Sequence, residues 1–129
     1  YLNKLHFYTD FQHFKNNGTS LTGARYAPLK YGPCPDQYRP IYDALVSSGC
    51  LKKNKNHSYT VLIQPDLTLF DDNEKETLQL ILEFYKLLGP EKIYELSHQE
   101  KAYKETDECE FIDYKFAKEI RIHQSKKSN

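Results

Sequence analysis

Apolar side chains recur at steps of three at the start of the chain: Leu2, Leu5, Tyr8, Phe11 and Phe14. That spacing predicts a helix over residues 2–16, with His6 and Phe7 widening its apolar face. Asn16-Asn17-Gly18 ends it, because glycine tolerates a left-handed C-cap. Residues 19–36 lose the period and carry Gly23, Pro28, Gly32, Pro33 and Pro35. Here Arg25-Tyr26-Ala27 reads as a short strand. Tyr31-Gly32-Pro33-Cys34-Pro35 reads as a stiff turn, since each proline fixes its own φ and restricts the residue before it. A helix is expected from Asp36, with Tyr38, Ile41, Tyr42, Leu45 and Val46 on one face, Pro40 early and Gly49 at its close. Residues 50–52 and 58–63 read as β-hairpin arms around a Lys/Asn loop.

Asp71-Asp72-Asn73-Glu74 marks a helix start: a carboxylate accepts from free N–H groups, and acidic residues suit the positive end of the helix dipole. The helix runs through Leu78, Ile81, Leu82, Tyr85 and Leu88 and stops at Gly89-Pro90. Pro90 can begin a further short helix with Ile93 and Leu96. Ser97-His98-Gln99-Glu100 has the form of a capping box, in which Ser97 caps and Glu100 reaches back. His98 then sits at a helix N-terminus, as a hydrogen-bonded structural residue rather than a proton carrier. Ile112, Phe116 and Ile120 suggest a last helix over 111–122, followed by a frayed, disordered polar tail over 124–129. The expected fold class is α+β, mainly α: one compact helical domain over residues 1–129 with a small antiparallel β element.

Composition adds two constraints. The 11 Tyr and 7 Phe, with no Trp, imply an aromatic core partly wired by hydroxyl hydrogen bonds. The net charge is zero, which excludes a strongly basic nucleic-acid binder as a description of the whole chain. The balance is uneven, however: residues 1–60 carry a net +5 and residues 61–129 a net −5. The absence of Met, even at position 1, suggests that the natural N-terminus lies upstream. No stretch is long and apolar enough for a membrane span or signal peptide, and the three cysteines are odd in number and widely spaced. Free thiols and a cytoplasmic location follow as expectations.

Candidate chemistry is sparse. Cys34, Cys50, His57 and Cys109 match no zinc-ligand spacing, and His6, His13, His57, His98 and His123 form no metal-binding pattern. A nucleophilic pairing of Cys34 with His98 has no local support. Gly18, Gly23 and Gly32 are too scattered for a phosphate loop. No cofactor, metal or catalytic residue is therefore assigned, and no enzyme is expected. The basic 52–55 loop leaves an alternative open, a nucleic-acid-binding regulator. What stands out is aromatic surface: Tyr26, Tyr31, Tyr38, Tyr42, Tyr103 and Tyr114 are more than a core of this size easily absorbs, and tyrosine is enriched at protein–protein hot spots.

The order of short motifs resembles the Panacea domain, the SocA-like antitoxin domain. The match begins with Leu5-His6-Phe7-Tyr8-Thr9-Asp10-Phe11-Gln12-His13-Phe14 and continues with Gly18, Thr22-Gly23, Arg25-Tyr26 and Tyr31-Gly32-Pro33-Cys34-Pro35. It ends with Leu96-Ser97-His98-Gln99-Glu100, Tyr103 and Asp113-Tyr114-Lys115-Phe116-Ala117, so that it spans Leu5 to Ile120. Tyr103 stands where the family commonly has Trp, and Cys34 where an aliphatic residue is usual. The resemblance implies a cytoplasmic antitoxin of a toxin–antitoxin system, of a kind also found in phage and mobile elements. It would bind a cognate toxin directly or act as an adaptor that delivers the toxin to a protease or chaperone. Arg25, Tyr26, Tyr31, Pro33 and Tyr38 are then the expected toxin-binding anchors. Gly32, Ser97, His98, Glu100 and Tyr103 are the expected structural residues of the adjacent turn and cap. No membrane partner is implied, and nucleic acid is not expected for this domain alone.

Overall fold

The computed structural model describes residues 2–122; the tail expected over 124–129, and His123, lie outside them. In chain order the elements are α1 (Leu2–Asn17), β1 (Tyr26–Leu29), β2 (Gly32–Pro35), α2 (Tyr38–Ser47), β3 (Leu51–Lys53) and β4 (Tyr59–Val61). A 3-10 turn (Leu67–Leu69), α3 (Asp72–Gln99), α4 (Lys101–Lys104) and a 3-10 segment (Tyr114–Glu119) complete the described chain. The class is α+β and mainly α, with two small antiparallel sheets of two strands each. The chain divides into two units: one of residues 2–36 and 70–122, and one of residues Gln37–Leu69.

The larger unit is organised around α1, which packs against α3, β2 and the Tyr114–Glu119 segment. Contact from several sides buries more than one stripe. Phe7, Tyr8 and Phe11 are fully buried, and so are the polar residues Asp10, Gln12 and His13. Periodicity assigns several of these positions to water, but the surrounding elements claim them. The aromatic rings meet mostly edge to face, as their quadrupoles favour. Phe7 meets Tyr26 at 5.7 Å between centroids, and Tyr8 meets Phe84 at 5.0 Å. Tyr114 instead stacks on Phe11 at 4.4 Å.

Most of the buried polar groups are wired, as burial demands, the exceptions among the described residues being Gln12 Oε1 and Glu100 Oε1. Asp10 accepts from the Leu21 N–H at 2.9 Å, the Thr22 N–H at 2.7 Å, and the hydroxyls of Thr22 and Tyr26. The Tyr26 hydroxyl also lies 2.9 Å from the His6 carbonyl oxygen. His13 Nδ1 lies 2.7 Å from the Thr77 hydroxyl. One carboxylate thus ties α1 to the 19–24 loop and, through Tyr26, to β1.

The β1–β2 hairpin explains why a proline-rich stretch is strand where a stiff turn was expected. The Asp36 N–H donates to the Arg25 carbonyl, which makes 25/36 a hydrogen-bonded pair. Alternation along an antiparallel ladder then makes Ala27/Cys34 and Leu29/Gly32 bonded pairs, and Tyr26/Pro35 and Pro28/Pro33 non-bonded ones. All three prolines therefore fall where a missing N–H costs the ladder nothing. The turn itself is only Lys30-Tyr31.

In the smaller unit, α2 begins at Tyr38 rather than Asp36, after Gln37 at φ 64°. It packs on β3, and Tyr42 sits 5.8 Å from the Tyr59 ring. The β3–β4 hairpin takes the register Leu51↔Val61, Lys52↔Thr60, Lys53↔Tyr59.

α3 starts as expected, with Asp71 and Glu74 in a reciprocal capping box. Gly89, at φ 78° and ψ 170°, breaks the helical geometry before Pro90, and a further helical stretch carries Ile93 and Leu96. Ser97 is then no cap. It lies inside α3, and its hydroxyl donates to the Tyr94 carbonyl at 2.8 Å. Glu100 does not reach back to Ser97 but is fully buried, and Oε2 accepts from the Tyr8 hydroxyl at 2.8 Å and the Arg121 N–H at 3.3 Å. His98 accordingly sits in the last turn of α3, not at a helix start. The last helix expected over 111–122 is also corrected to extended chain around the short 3-10 segment. Asp113 caps that segment by accepting from the Lys115 N–H, and the Ile112 N–H donates to the Tyr26 carbonyl at 2.7 Å.

Burial pushes the Glu100 carboxyl above the usual range, against the opposing pull of its hydrogen bonds and of Arg121 and Lys15. Its ionised form is thus penalised in the folded protein, which holds this proton more tightly than the unfolded chain. The penalty is absent below the ordinary carboxylate pKa and grows as pH rises through and above it. Glu100→Gln keeps an acceptor for Tyr8 and removes the titration. Urea midpoints are expected to shift in favour of the variant, relative to wild type, as pH rises from about 4 to about 7. A difference independent of pH would contradict this origin.

Candidate functional site

The Lys30-Tyr31 turn projects from the β1–β2 hairpin with Tyr31 63% exposed and Leu29 partly exposed beside it. Below the turn the hairpin is seated on side chains from three helices. Tyr103 of α4 donates its hydroxyl to the Leu29 carbonyl at 2.6 Å. His98 places Nε2 3.3 Å from the Lys30 carbonyl and Nδ1 2.9 Å from the Tyr94 carbonyl. The His98 ring packs on Tyr94 at 4.4 Å and against Tyr103 at 4.8 Å. Lys4 of α1, almost entirely buried, sets its ammonium 4.8 Å from the centre of the Tyr94 ring.

Gly32 closes the turn with φ at 119°, a conformation that side chains rarely adopt. A Cβ there would stand 3.3 Å from Lys4 Cε, 3.5 Å from His98 Cε1 and 3.5 Å from Ser97 Oγ. The glycine backbone therefore rests directly on the collar formed by Lys4, Tyr94, Ser97, His98 and Tyr103. This is a preformed platform: one open tyrosine, an amphipathic aromatic rim, and a backbone fixed by hydrogen bonds to its own carbonyls. Lys30 adds a cation 5.4 Å from the Tyr31 ring.

Of the expected toxin-binding anchors, only Tyr31 has the required form. Tyr26 is fully buried, with its hydroxyl committed to Asp10 and His6, so it supports the hairpin from inside and offers no surface. Pro33 is likewise buried in β2 rather than exposed at the turn. Arg25 is exposed but lies beyond the base of the hairpin, 4.3 Å over the Phe111 ring and 3.8 Å from Asp36. Tyr38 belongs to the smaller unit, where Arg39 Nε donates to its hydroxyl at 3.2 Å. Gly32, Ser97, His98 and Tyr103 do converge on the turn; Glu100 points instead into the core. Lys4 and Tyr94 were missed. Lys4 occupies a polar position of an apparent surface face, and Tyr94 gave only the weak signal of its i,i+4 spacing to His98.

The remaining candidates are placed as follows. Cys34 is buried, and burial pushes its thiol pKa up, partly offset by Lys4 and the Asn3 amide, which disfavours the thiolate a nucleophile needs. Among the described residues, no three His, Cys, Asp or Glu side chains group as metal ligands. Lys52 and Lys53 lie on β3 and Lys55 in the turn after it, all exposed. No described helix is long and apolar enough to cross a membrane.

The sequence model of the family described as antitoxin SocA-like, Panacea domain, matches residues 2–104. No curated protein and no solved structure matches the chain.

The collar and the tip separate in their expected effects on stability. Gly32→Ala forces a strained φ and a close contact, and is expected to cost about 1–3 kcal/mol in urea unfolding. Tyr31→Ala removes a side chain that packs mainly on solvent, and should stay within about 0.5 kcal/mol of wild type. A loss at Tyr31 as large as at Gly32 would mean that the tip is structural.

Proposed function

Since the chain belongs to the SocA-like Panacea antitoxin family, we propose that it neutralises a cognate toxin by direct contact through the Tyr31 turn and its aromatic collar. The observation that carries this reading is an openly exposed tyrosine on a turn whose Leu29 carbonyl accepts from Tyr103 and whose base packs against His98. A ring presented in this way loses little conformational entropy on docking, and its hydroxyl and face serve both polar and apolar partners. The mechanism is occlusion: the toxin surface that reaches its target is covered, and no covalent bond is made or broken. The setting that fits is a two-gene toxin–antitoxin pair in the cytoplasm of a bacterium, phage or mobile element.

Co-expression with the product of the neighbouring gene tests the reading. That product should arrest growth alone and be relieved by this chain, with its abundance unchanged. Falling abundance would indicate delivery to a protease instead of occlusion. In purified form, Tyr31→Ala should weaken the complex by about 2 kcal/mol or more, roughly thirty-fold in Kd. A neighbour that is harmless, or toxicity that persists, overturns the proposal.

A further inference from the structure

The smaller unit carries an unguarded sheet edge. β3 and β4 form a two-stranded sheet, with no third strand among the described residues. The Leu62 N–H donates to the Cys50 carbonyl and the Asn54 N–H to the Ser58 carbonyl, which makes 50/62 and 54/58 bonded pairs. By alternation Lys52/Thr60 is bonded, whereas Leu51/Val61 and Lys53/Tyr59 are not. The backbone N–H and C=O groups of Tyr59 and Val61 therefore point away from β3.

The side chains along this edge are apolar and open. Val61 is 52%, Leu62 55% and Ile63 59% exposed. Val61 ends β4, and Leu62 and Ile63 follow directly after it, so the exposed apolar run begins on the strand and continues where the chain leaves it. Natural edge strands are normally blunted by lysine, proline or a bulge. Here the lysines, Lys52 and Lys53, sit on β3, and the first proline, Pro65, comes only after the apolar run.

We infer that β4 accepts an extended strand from the protein partner, a segment alternating apolar with acidic side chains; this rests on the toxin-binding reading above. Backbone pairing supplies affinity, and the side chains on the two faces supply selectivity. The charge follows from the register. Lys52 and Lys53 on the neighbouring strand and Lys55 in the turn are all exposed, and Lys52 pairs with Thr60, so the lysines crowd this hairpin with positive charge that an incoming strand must answer. A second copy of this chain is a poor occupant, because residues 57–65 offer no carboxylate to answer Lys52, Lys53 and Lys55.

Val61→Pro tests the edge selectively. The Val61 N–H faces outward, so proline removes a docking donor and leaves the β3 ladder whole. Calorimetry with the purified toxin and the full chain should show binding at least ten-fold weaker for Val61→Pro, with the circular dichroism unchanged. Lys52→Glu with Lys53→Glu should weaken it by a similar factor and flatten its salt dependence. Hydrogen exchange on the unaltered complex gives a readout free of mutation: the amides of Tyr59 and Val61 should be protected at least ten-fold on binding. Absence of binding by the unaltered chain overturns the toxin-binding reading and this inference together. Full affinity in Val61→Pro, or no added protection at Tyr59 and Val61, overturns this inference alone. A dimer in sedimentation that Val61→Pro dissolves overturns it in favour of a second copy.

Discussion

The carboxylate of Asp10 is where the larger unit is tied together. Burying a charged group costs several kcal/mol unless hydrogen bonds replace its water. Asp10 is fully buried and accepts from two backbone N–H groups and two hydroxyls, contributed by Leu21, Thr22 and Tyr26. Those donors come from the loop after α1 and from the first residue of β1. The core aromatics reinforce the same junction, with Phe7, Phe11 and His6 all edge-on to the Tyr26 ring. The base of the hairpin is thus fixed by one ionic hub and a cage of rings.

The exposed tip inherits that rigidity. Tyr26 holds one end of β1, the Ile112 N–H secures its outer edge, and at the other end Tyr103 donates to the Leu29 carbonyl while the His98 ring packs beneath the turn. Between these points the prolines stiffen both strands without breaking the ladder. The cost of ordering the backbone of the Lys30-Tyr31 turn is met during folding, which suits the proposed action by contact. The β3–β4 hairpin of the smaller unit is a different kind of surface, with exposed apolar side chains at the end of β4 and an outward-facing backbone edge.

Much of the helical architecture was legible in the sequence. The three-residue steps of α1, the acidic start of α3 and the break at Gly89-Pro90 are local signals, and local physics decides them. The errors arose where a local pattern met a tertiary competitor. Ser97-x-x-Glu100 has the spacing of a capping box, but a mid-helix serine can donate back to a carbonyl, and Glu100 has a better-placed partner in the buried Tyr8 hydroxyl. Ile112, Phe116 and Ile120 share helical spacing, yet that segment is shaped by the bond from Ile112 to Tyr26 and by the Asp113 cap. Tyrosine was the hardest residue to place. Tyr26 and Tyr31 differ little in composition of context, and only the presence of Asp10 sixteen residues earlier, an acceptor for one hydroxyl and not the other, decides which ring is core and which is surface.

The central claim is that the Asp10 hub holds the β1–β2 hairpin in place. Amide hydrogen exchange on Asp10→Asn tests it most directly, because the asparagine side chain keeps one acceptor and turns an amide toward the remaining donors. Under conditions where the variant stays folded, the Ala27, Leu29, Gly32 and Cys34 amides should exchange at least ten-fold faster than in wild type, with the amides of α3 before Gly89 little changed. Hairpin protection equal to wild type would show that the tip is held without Asp10 and would contradict the account.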